Sequence, residues 1–383
     1  MTLKVAKRGN VPPFIVMDVM RAAAEREAAT GDVLHLEVGQ PSTGAPARVV
    51  EAAKRALESG DSLGYTLALG IEPLREKIAA HYKAEYGVAV DPRQVAVTTG
   101  SSGAFLLAFL AAFEPGDRVA IASPGYPAYR NILRALGVEP VPLRVGAETR
   151  FQITAQVIEA LDQPIDGVIV ASPSNPTGTM LSEQEVADLA ACCKRKGIRL
   201  ISDEIYHGIT FGRKAATAAA FADHAVVINS FSKYFSMTGW RLGWMVVPDD
   251  LARAVECLAQ NMFISAPTLS QQAALAVFDC KEELEANVVR YARNRELLLN
   301  ELPKAGFDRL APADGAFYIY ADISQMTNDA QDFCRRMLAE TGIAATPGVD
   351  FDPEEGHRAM RFSFAGSTET MAEAVKRLRA WRK

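Results

Sequence analysis

The chain has 383 residues, a net charge of −5 at pH 7, 49% apolar residues and 23% charged residues. This composition is ordinary for a soluble globular protein, and the charge offers no basic field for nucleic acid or an anionic membrane. No apolar run approaches the roughly 18–20 residues that span a bilayer, and residues 1–14 lack the continuous apolar segment of a secretory signal. We therefore expect a cytoplasmic protein without a nucleic-acid or membrane partner.

The chain contains five cysteines and five histidines. The cysteines form neither a CxxC pattern nor an even set, which indicates a reducing compartment and no structural disulfides. The adjacent Cys192 and Cys193 fall in a predicted helix, where packing is their expected role. Because the sequence has no HExxH motif and no Cys/His cluster, it predicts no protein-bound metal.

An N-terminal segment with two prolines, Pro12 and Pro13, is expected to wrap onto a smaller domain. The middle of the chain then alternates short apolar runs with helical segments. The runs are β-branched and apolar on both faces, as in strands buried within a parallel sheet, and their alternation with helices predicts an α/β layered sheet. They are RQVAVTTG, DRVAIASPG, DGVIVASPSNPTG, IRLISDE, AVVINS and LGWMVVP.

Two of the predicted helices lie between these strands. An apolar helix is expected over 104–113, and an amphipathic helix over 182–197. Ser182 and Glu185 have the spacing of a capping box, and Gly197 fits a C-terminal stop.

The C-terminal third has a different pattern. A helix over 282–302 precedes the strand GAFYIYADI, a helix over 329–341, the strand RAMRFSFAG and a last helix. This order predicts a smaller α+β domain. We expect a large domain over 45–280 and a small domain built from 1–44 and 281–383.

Polar clusters follow several of the predicted strands, where ligands bind in parallel sheets. In TTGSSGAF, Gly100 and Gly103 permit tight turns, and Ser101 and Ser102 place hydroxyl groups near a helix N-terminus. Free backbone N–H groups and the positive end of the helix dipole make such a turn an anion site. Ordinary N-capping is the alternative.

Three further clusters carry chemistry. In SDEIYH, Asp203 at a strand end needs a partner, either a local arginine or a protonated heterocycle nitrogen, and Tyr206 lies within reach of the same ligand. In SPSNPTG, Asn175 forms part of a turn and offers a donor amide. In SFSKYFSMTGWRLGW, Lys233 stands among hydroxyl and aromatic residues, with Arg241 eight positions later. A surface lysine is the alternative for Lys233.

Together these segments resemble the fold-type I, class I/II pyridoxal-phosphate aminotransferases, the aspartate aminotransferase-like family. The resemblance runs in the family's order from about residue 35 to 365. It includes LEVGQP with Gly39, GYTLALGIEPLR with Tyr65, TGSSGA, SPGYP with Tyr126, SNPTG, SDEIY, the Lys233 segment and RFSFAG with Arg361.

The resemblance implies the family's fold and reaction. The expected fold is a large α/β domain with a mostly parallel central sheet plus a smaller α+β domain. The expected reaction is the transfer of an amino group from an L-amino acid to a 2-oxo acid by a ping-pong mechanism, with pyridoxal 5′-phosphate as the cofactor. Lys233 would hold that cofactor as a Schiff base.

The resemblance also implies catalytic roles. Lys233 would carry a proton between the substrate Cα and the cofactor C4′, which needs a neutral amine. Asp203 would pair with the pyridinium nitrogen and keep it protonated. Tyr206 and Asn175 would bond to the ring's O3′, and Tyr126 would stack on the ring.

The implied phosphate ligands include an arginine, since its planar fork binds phosphate bidentately. Tyr65 would reach the phosphate of the partner subunit, which implies an obligate homodimer with shared active sites. Arg361 would bind the substrate α-carboxylate with help from Gly39 and Asn175. The phosphate ligands within the subunit would be Gly100, Ser101, Ser102, Ser230, Ser232 and Arg241.

Two positions depart from the aspartate-specific relatives. Ser102 stands where those relatives have a lysine for the distal carboxylate, and Phe14 brings an apolar ring to the N-terminal segment. A neutral or aromatic amino donor is therefore at least as plausible as aspartate, although an arginine elsewhere could replace the lysine.

Two other functions compete with amino-group transfer. One is a C–S β-lyase of the same fold, but those relatives usually carry a histidine before the Asn-Pro, where this chain has Ser174. The other is a non-enzymatic regulator with an added N-terminal DNA-binding domain, for which the residues before Gly39 leave no room.

Overall fold

A computed structural model describes residues 3–381. Within that range the α-helices are α1 Ile15–Thr30, α2 Ala47–Glu58, α3 Glu72–Tyr86, α4 Gly100–Ala112, α5 Pro127–Leu136, α6 Ala155–Glu159, α7 Glu183–Lys196, α8 Asp249–Met262, α9 Thr268–Ala274, α10 Lys281–Glu301, α11 Ala330–Thr341 and α12 Thr368–Trp381. The strands are β1 Leu34–His35, β2 Val95–Thr98, β3 Arg118–Ser123, β4 Glu139–Arg144, β5 Gly167–Ala171, β6 Arg199–Asp203, β7 Val226–Ser230, β8 Gly243–Val246, β9 Arg309–Leu310, β10 Tyr318–Asp322, β11 Ile343–Ala344, β12 Thr346–Pro347 and β13 Ala359–Ser363.

Seven strands form the central sheet, in the order β2-β8-β7-β6-β5-β3-β4. Strand β8 runs antiparallel to both of its neighbours, whereas the pairs from β7 to β4 are parallel. All strands except β8 therefore end at the same edge of the sheet. The predicted α/β class with a mostly parallel sheet is confirmed.

The central strands are buried on both faces. In β5, Val168 and Val170 belong to one apolar cluster, and Ile169 between them belongs to the other. Burial of one such side chain contributes about 1.5–3 kcal/mol, so two-sided burial fixes the strand register and the direction of the residues that follow.

Helix α7 begins and ends as its sequence predicts. The Ser182 hydroxyl accepts a bond from the Glu185 N–H at 3.2 Å, the Glu185 carboxylate accepts one from the Ser182 N–H at 2.6 Å, and Gly197 closes the helix at φ 68°. Cys192 and Cys193 are buried in its packed face, as predicted.

The prediction for α4 was wrong at its start. The helix begins at Gly100 and not at residue 104, so the expected turn from Gly100 to Ser102 is the first turn of the helix itself. Small and hydroxyl residues are accommodated there because the first N–H groups of a helix need no intrahelical acceptor.

Strand β4 was absent from the prediction because EPVPLR contains Pro140 and Pro142. It pairs only with β3, at the edge of the sheet. Proline is tolerated at an edge, where a missing N–H group breaks no ladder bond on the open side.

A second sheet has the order β12-β13-β10-β9 and is antiparallel. The N-terminal region contacts the same part of the chain, because β1 pairs with β11 and the Arg26 guanidinium donates to the Ala339 carbonyl at 2.9 Å. The domain limits between residues 44 and 45 and between residues 280 and 281 stay a prediction. Residues 1–2 and 382–383 of the predicted small domain lie outside the described range.

All five cysteines are free in the structure. None of the helices in the described part of the chain combines the length and the apolar character needed to cross a bilayer. Among residues 3–381, no group of three or more His, Cys, Asp or Glu side chains is placed to hold a metal ion.

Candidate active site

A cavity of about 670 Å³ opens where the parallel strands of the central sheet end. Of the predicted site residues, Gly100, Ser230 and Tyr65 are not part of its lining, and Tyr65 has 83% of its area exposed. The other predicted site residues line the cavity: Phe14, Gly39, Ser101, Ser102, Tyr126, Asn175, Asp203, Tyr206, Ser232, Lys233, Arg241 and Arg361.

Lys233 follows β7 and points into this cavity, through which its side chain stays partly accessible. Its ammonium group donates to the Gly39 carbonyl at 2.5 Å and lies 5.6 Å from the centre of the Tyr206 ring. Burial, followed by the positive charges of Arg361 and Arg241, lowers the pKa of Lys233 to about 8. A substantial fraction of this amine is therefore neutral at physiological pH, unlike that of a surface lysine.

Asp203 ends β6 and is buried at the floor of the cavity. Its carboxylate accepts hydrogen bonds from the Tyr129 hydroxyl and, at 3.1 Å, from the Ile205 N–H. Burial raises the pKa of Asp203 to about 6, against the opposing effects of these bonds and of Lys233. The local arginine considered from the sequence is not among its hydrogen-bond partners, so the carboxylate suits a cation delivered by a ligand.

Two serine hydroxyls beside Lys233 and the guanidinium of Arg241, eight residues later, are the polar groups of this segment considered for an anion. The hydroxyls of Ser230 and Ser232 lie 2.6 Å apart, and Arg241 donates to the Thr238 carbonyl at 3.0 Å. A Cβ atom at Gly100 would lie 2.5 Å from the Arg241 guanidinium, so only glycine permits this approach. The result is an anion site made of hydroxyls, an arginine and the N-terminus of α4.

Arg361 lies in β13 and is buried, with 3% of its surface exposed. Its guanidinium lies between two aromatic rings, 4.3 Å from the centre of Tyr318 and 4.8 Å from that of Phe351. It donates to the Asn175 side-chain oxygen at 2.8 Å and to the Glu37 carbonyl at 2.6 Å. Its Nε atom is buried and has no hydrogen-bond partner among residues 3–381, and the guanidinium lines the cavity, where it can bind a carboxylate.

The aromatic residues of the cavity hold one another in place. The Tyr206 and Tyr318 hydroxyls are 2.6 Å apart, and burial raises the pKa of Tyr206 well above its usual value. Tyr126 meets the ring of Tyr129 at 80° and that of Phe14 at 76°, with ring centres 5.3 Å and 5.9 Å apart. The Tyr126 ring thus has fixed orientation, as a stacking platform requires.

The sequence interpretation missed part of the cavity wall. Val16, Met17 and Met20 line it from α1, and their spacing along one helical face was a usable signal. Tyr129 lies one helical turn after Tyr126, so it too was open to inference. Tyr318 gave no local signal, because its place beside the site depends on the pairing of β10 with β13.

The model of the family "Aminotransferase class I and II" matches residues 31–378. The chain belongs to this family. It is 53% identical to the valine–pyruvate aminotransferase of Mycobacterium tuberculosis, with 100% of this chain and 99% of that protein covered. Enzymes of this family use pyridoxal phosphate.

Solved structures agree with the family. A crystal structure of an aminotransferase from Mycobacterium tuberculosis matches with a TM-score of 0.97 and 53% identity, covering 99% of each chain. The aspartate aminotransferase from Thermus thermophilus with maleate matches with a TM-score of 0.92 and 30% identity, covering 99% of this chain and 100% of that one. The protein is therefore an aminotransferase of fold type I, and the prediction of amino-group transfer is confirmed.

Proposed function

We propose that this aminotransferase binds pyridoxal 5′-phosphate in the cavity, with Lys233 as the point of attachment and Asp203 against the ring nitrogen. The support is the set of groups present: an amine with a lowered pKa, a buried carboxylate without a charged hydrogen-bond partner, and an anion site near Arg241. Bound pyridoxal phosphate supplies an aldehyde that captures the donor's amino group and a protonated ring that accepts electrons from Cα.

Each remaining role belongs to a residue of the chain. Lys233, once free, would take the proton from the donor Cα and deliver it to the cofactor C4′, because its pKa of about 8 leaves neutral amine available. Arg361 binds the donor's α-carboxylate with its guanidinium, which lines the cavity. Asn175 fixes the guanidinium from the other side at 2.8 Å, and Tyr126 covers the cofactor ring.

The donor is a neutral aliphatic amino acid, and the apolar end of the cavity is the observation that carries this proposal. The apolar side chains of the lining include those of Phe14, Val16, Met17, Met20, Phe105 and Ile132, and Ser102 lines the same cavity. Among the described residues, the cations that line the cavity are Lys233, Arg241 and Arg361, and each already has a role at the cofactor or the α-carboxylate. A second carboxylate on the donor would lose water without gaining a cation. The relative named valine–pyruvate aminotransferase supports valine as donor and pyruvate as acceptor.

We also propose a homodimer with shared sites. Tyr65 and Leu67 are 83% and 75% exposed, and Met262 and Ile264 are 46% and 49% exposed. The two stretches are tied together by the Thr66 N–H, which donates to the Ser265 hydroxyl at 3.4 Å. This apolar surface suits burial against a second copy, from which Tyr65 would reach the partner's phosphate site. The free cysteines support a cytoplasmic location.

The test is a product assay on the purified, cofactor-loaded protein. With valine and pyruvate we expect alanine and 2-oxoisovalerate, with kcat/KM at least about ten-fold above that for aspartate. Equal or faster use of aspartate would contradict the donor proposal. Ammonia and pyruvate released from a sulfur-containing donor without an acceptor would point to the β-lyase.

A further inference from the structure

Helix α1 begins without a cap of its own. It starts at Ile15, and the N-cap residue Phe14 has no side-chain acceptor to offer the free N–H groups of the first turn. The residues before it, Pro12, Pro13 and Phe14, include no serine, threonine, asparagine or aspartate that could act as a cap. The acceptor therefore has to come from another part of the fold.

Asp350 supplies it from 335 positions away. One carboxylate oxygen accepts from the Ile15 N–H at 3.1 Å, and the other accepts from the Val16 N–H at 3.2 Å. The residue is 1% exposed, and its negative charge faces the positive end of the helix dipole. Its own carbonyl accepts from the Arg130 guanidinium at 2.7 Å. Asp350 thus connects α1 to α5, two helices that form the apolar end of the cavity.

The first turns of α1 are the part that faces the donor side chain. Val16, Met17 and Met20 line the cavity, and Phe14 packs edge-on against Tyr126. The other end of α1 is held separately, where Arg26 donates to the Ala339 carbonyl at 2.9 Å. Loss of the Asp350 contacts would therefore loosen the start of the helix while its end stays anchored.

We propose that Asp350 is a positioning residue for donor selectivity: its carboxylate fixes the first turn of α1 so that Phe14, Val16 and Met17 close around a branched apolar side chain. The proposal rests on the proposed function for its donor class. The positioning itself rests only on the two hydrogen bonds and the burial of Asp350.

A matched control lies two residues further along. Asp352 is also buried, and its carboxylate accepts from the N–H groups of Glu354 and Glu355 at 3.0 and 3.1 Å. Asp352→Ala removes two backbone contacts of the same kind, but both lie within the 350–356 loop and neither touches α1. Asp350→Asn keeps one acceptor oxygen without the charge, so it separates capping from electrostatics.

The direct readout is hydrogen exchange in a peptide covering 14–20, measured on the cofactor-loaded protein. In Asp350→Ala we expect exchange roughly 5–30-fold faster than in the wild type, from the loss of a cap. Asp350→Asn should be intermediate and Asp352→Ala unchanged. Wild-type exchange in Asp350→Ala overturns the proposal. If that variant does not fold, wild-type exchange in Asp350→Asn overturns it equally.

The second readout is the ratio of kcat/KM for valine to that for alanine. In Asp350→Ala the ratio should fall by about ten-fold, mainly through a higher KM for valine, since a loosened wall contacts the extra methyl groups less. An unchanged ratio, or the same fall in Asp352→Ala, contradicts the selectivity role. Wild-type preference for aspartate would instead defeat the donor proposal, while the exchange result would still decide whether Asp350 holds α1.

Discussion

The two ends of the cavity are built in different ways. The cofactor end consists of residues that directly follow strands buried on both faces, such as Asp203 after β6 and Lys233 after β7. The donor end, which is the apolar end of the cavity, is formed largely by α1. Val16 and Ala23 are the buried residues of this helix, and Asp350 holds its first turn. The residues proposed for the chemistry are thus held by the central sheet, whereas the proposed donor selectivity depends on a helix that packs against β11 and β12.

The kinds of interaction differ in the same way. At the cofactor end, burial dominates the electrostatics, because it raises the pKa of Asp203 to about 6 and lowers that of Lys233 to about 8. Removing a positioned acid or base costs about 10²–10⁴-fold in rate. At the donor end, apolar contacts of a methylene group are worth about 10–200-fold. Variants of the two ends should therefore differ in both size and type of effect.

The largest effect is expected from Lys233→Ala. Without the amine at 2.5 Å from the Gly39 carbonyl, transamination should fall by at least about 10³-fold, and the absorbance of the lysine Schiff base should be lost while cofactor still binds. Steady-state rates and a visible spectrum measure both. Lys281→Ala, which changes an exposed lysine paired with Glu85, is the control and should match the wild type. Activity within ten-fold of wild type for Lys233→Ala would refute its role.

Asp203→Asn should lower kcat by about 10²-fold or more while the protein still folds, because a neutral amide cannot keep the ring nitrogen protonated. The test is a measurement of kcat as a function of pH for the wild type and the variant. Circular dichroism verifies that the variant folds. Near-native turnover would mean that Asp203 has a structural role only.

The same variant should be more stable than the wild type without cofactor. The pKa of Asp203 is about 6 in the folded state, above its value in the unfolded chain. The folded wild type therefore binds more protons than the unfolded chain between about pH 4 and 6, and its stability falls as the pH rises through this range. At pH 7 the buried carboxylate costs up to about 3 kcal/mol, which asparagine removes. The free energy of unfolding in urea should be higher for Asp203→Asn than for the wild type at pH 7, and the two values should be equal at pH 4. Equal values at pH 7 would contradict this.

A smaller effect, confined to selectivity, is expected from Ser102→Lys. Ser102 lines the cavity on the first turn of α4, so a lysine there would offer a cation to a distal carboxylate. The ratio of kcat/KM for aspartate to that for valine should rise by about 10–100-fold. Ser59→Lys, beyond the end of α2, is a control for added charge. An unchanged ratio would show that the pocket is defined elsewhere.

The smallest signal is expected from hybrid dimers. Lys233→Ala and Tyr65→Ala proteins are mixed, unfolded and refolded together, with each variant refolded alone as the control. Random association makes half of the dimers hybrids, and in each hybrid one of the two sites has both Lys233 and Tyr65. About a quarter of all sites are then complete, so about a quarter of wild-type activity should return. No gain over the separate variants would contradict the placement of Tyr65 in the partner's site.

Part of the site can be predicted from the sequence alone because its residues follow strands of the parallel sheet. Asp203, Asn175 and Lys233 come after apolar runs, and the shared edge of a parallel sheet brings such residues together. The contacts of Asp350 with Ile15 and of Tyr318 with Arg361 could not be inferred, since they depend on tertiary pairing between distant segments. Strand β4 and the start of α4 were missed because local proline and glycine signals outweighed the sheet and helix they belong to.

The central claim is that a cavity with one carboxylate clamp, Arg361, and an apolar far end selects a neutral aliphatic donor. A single-turnover experiment tests it without any acceptor: valine or aspartate is mixed with the cofactor-loaded protein, and conversion to the pyridoxamine form is followed by absorbance. At equal subsaturating concentrations, valine should react at least about ten-fold faster than aspartate. A faster reaction with aspartate would contradict the account.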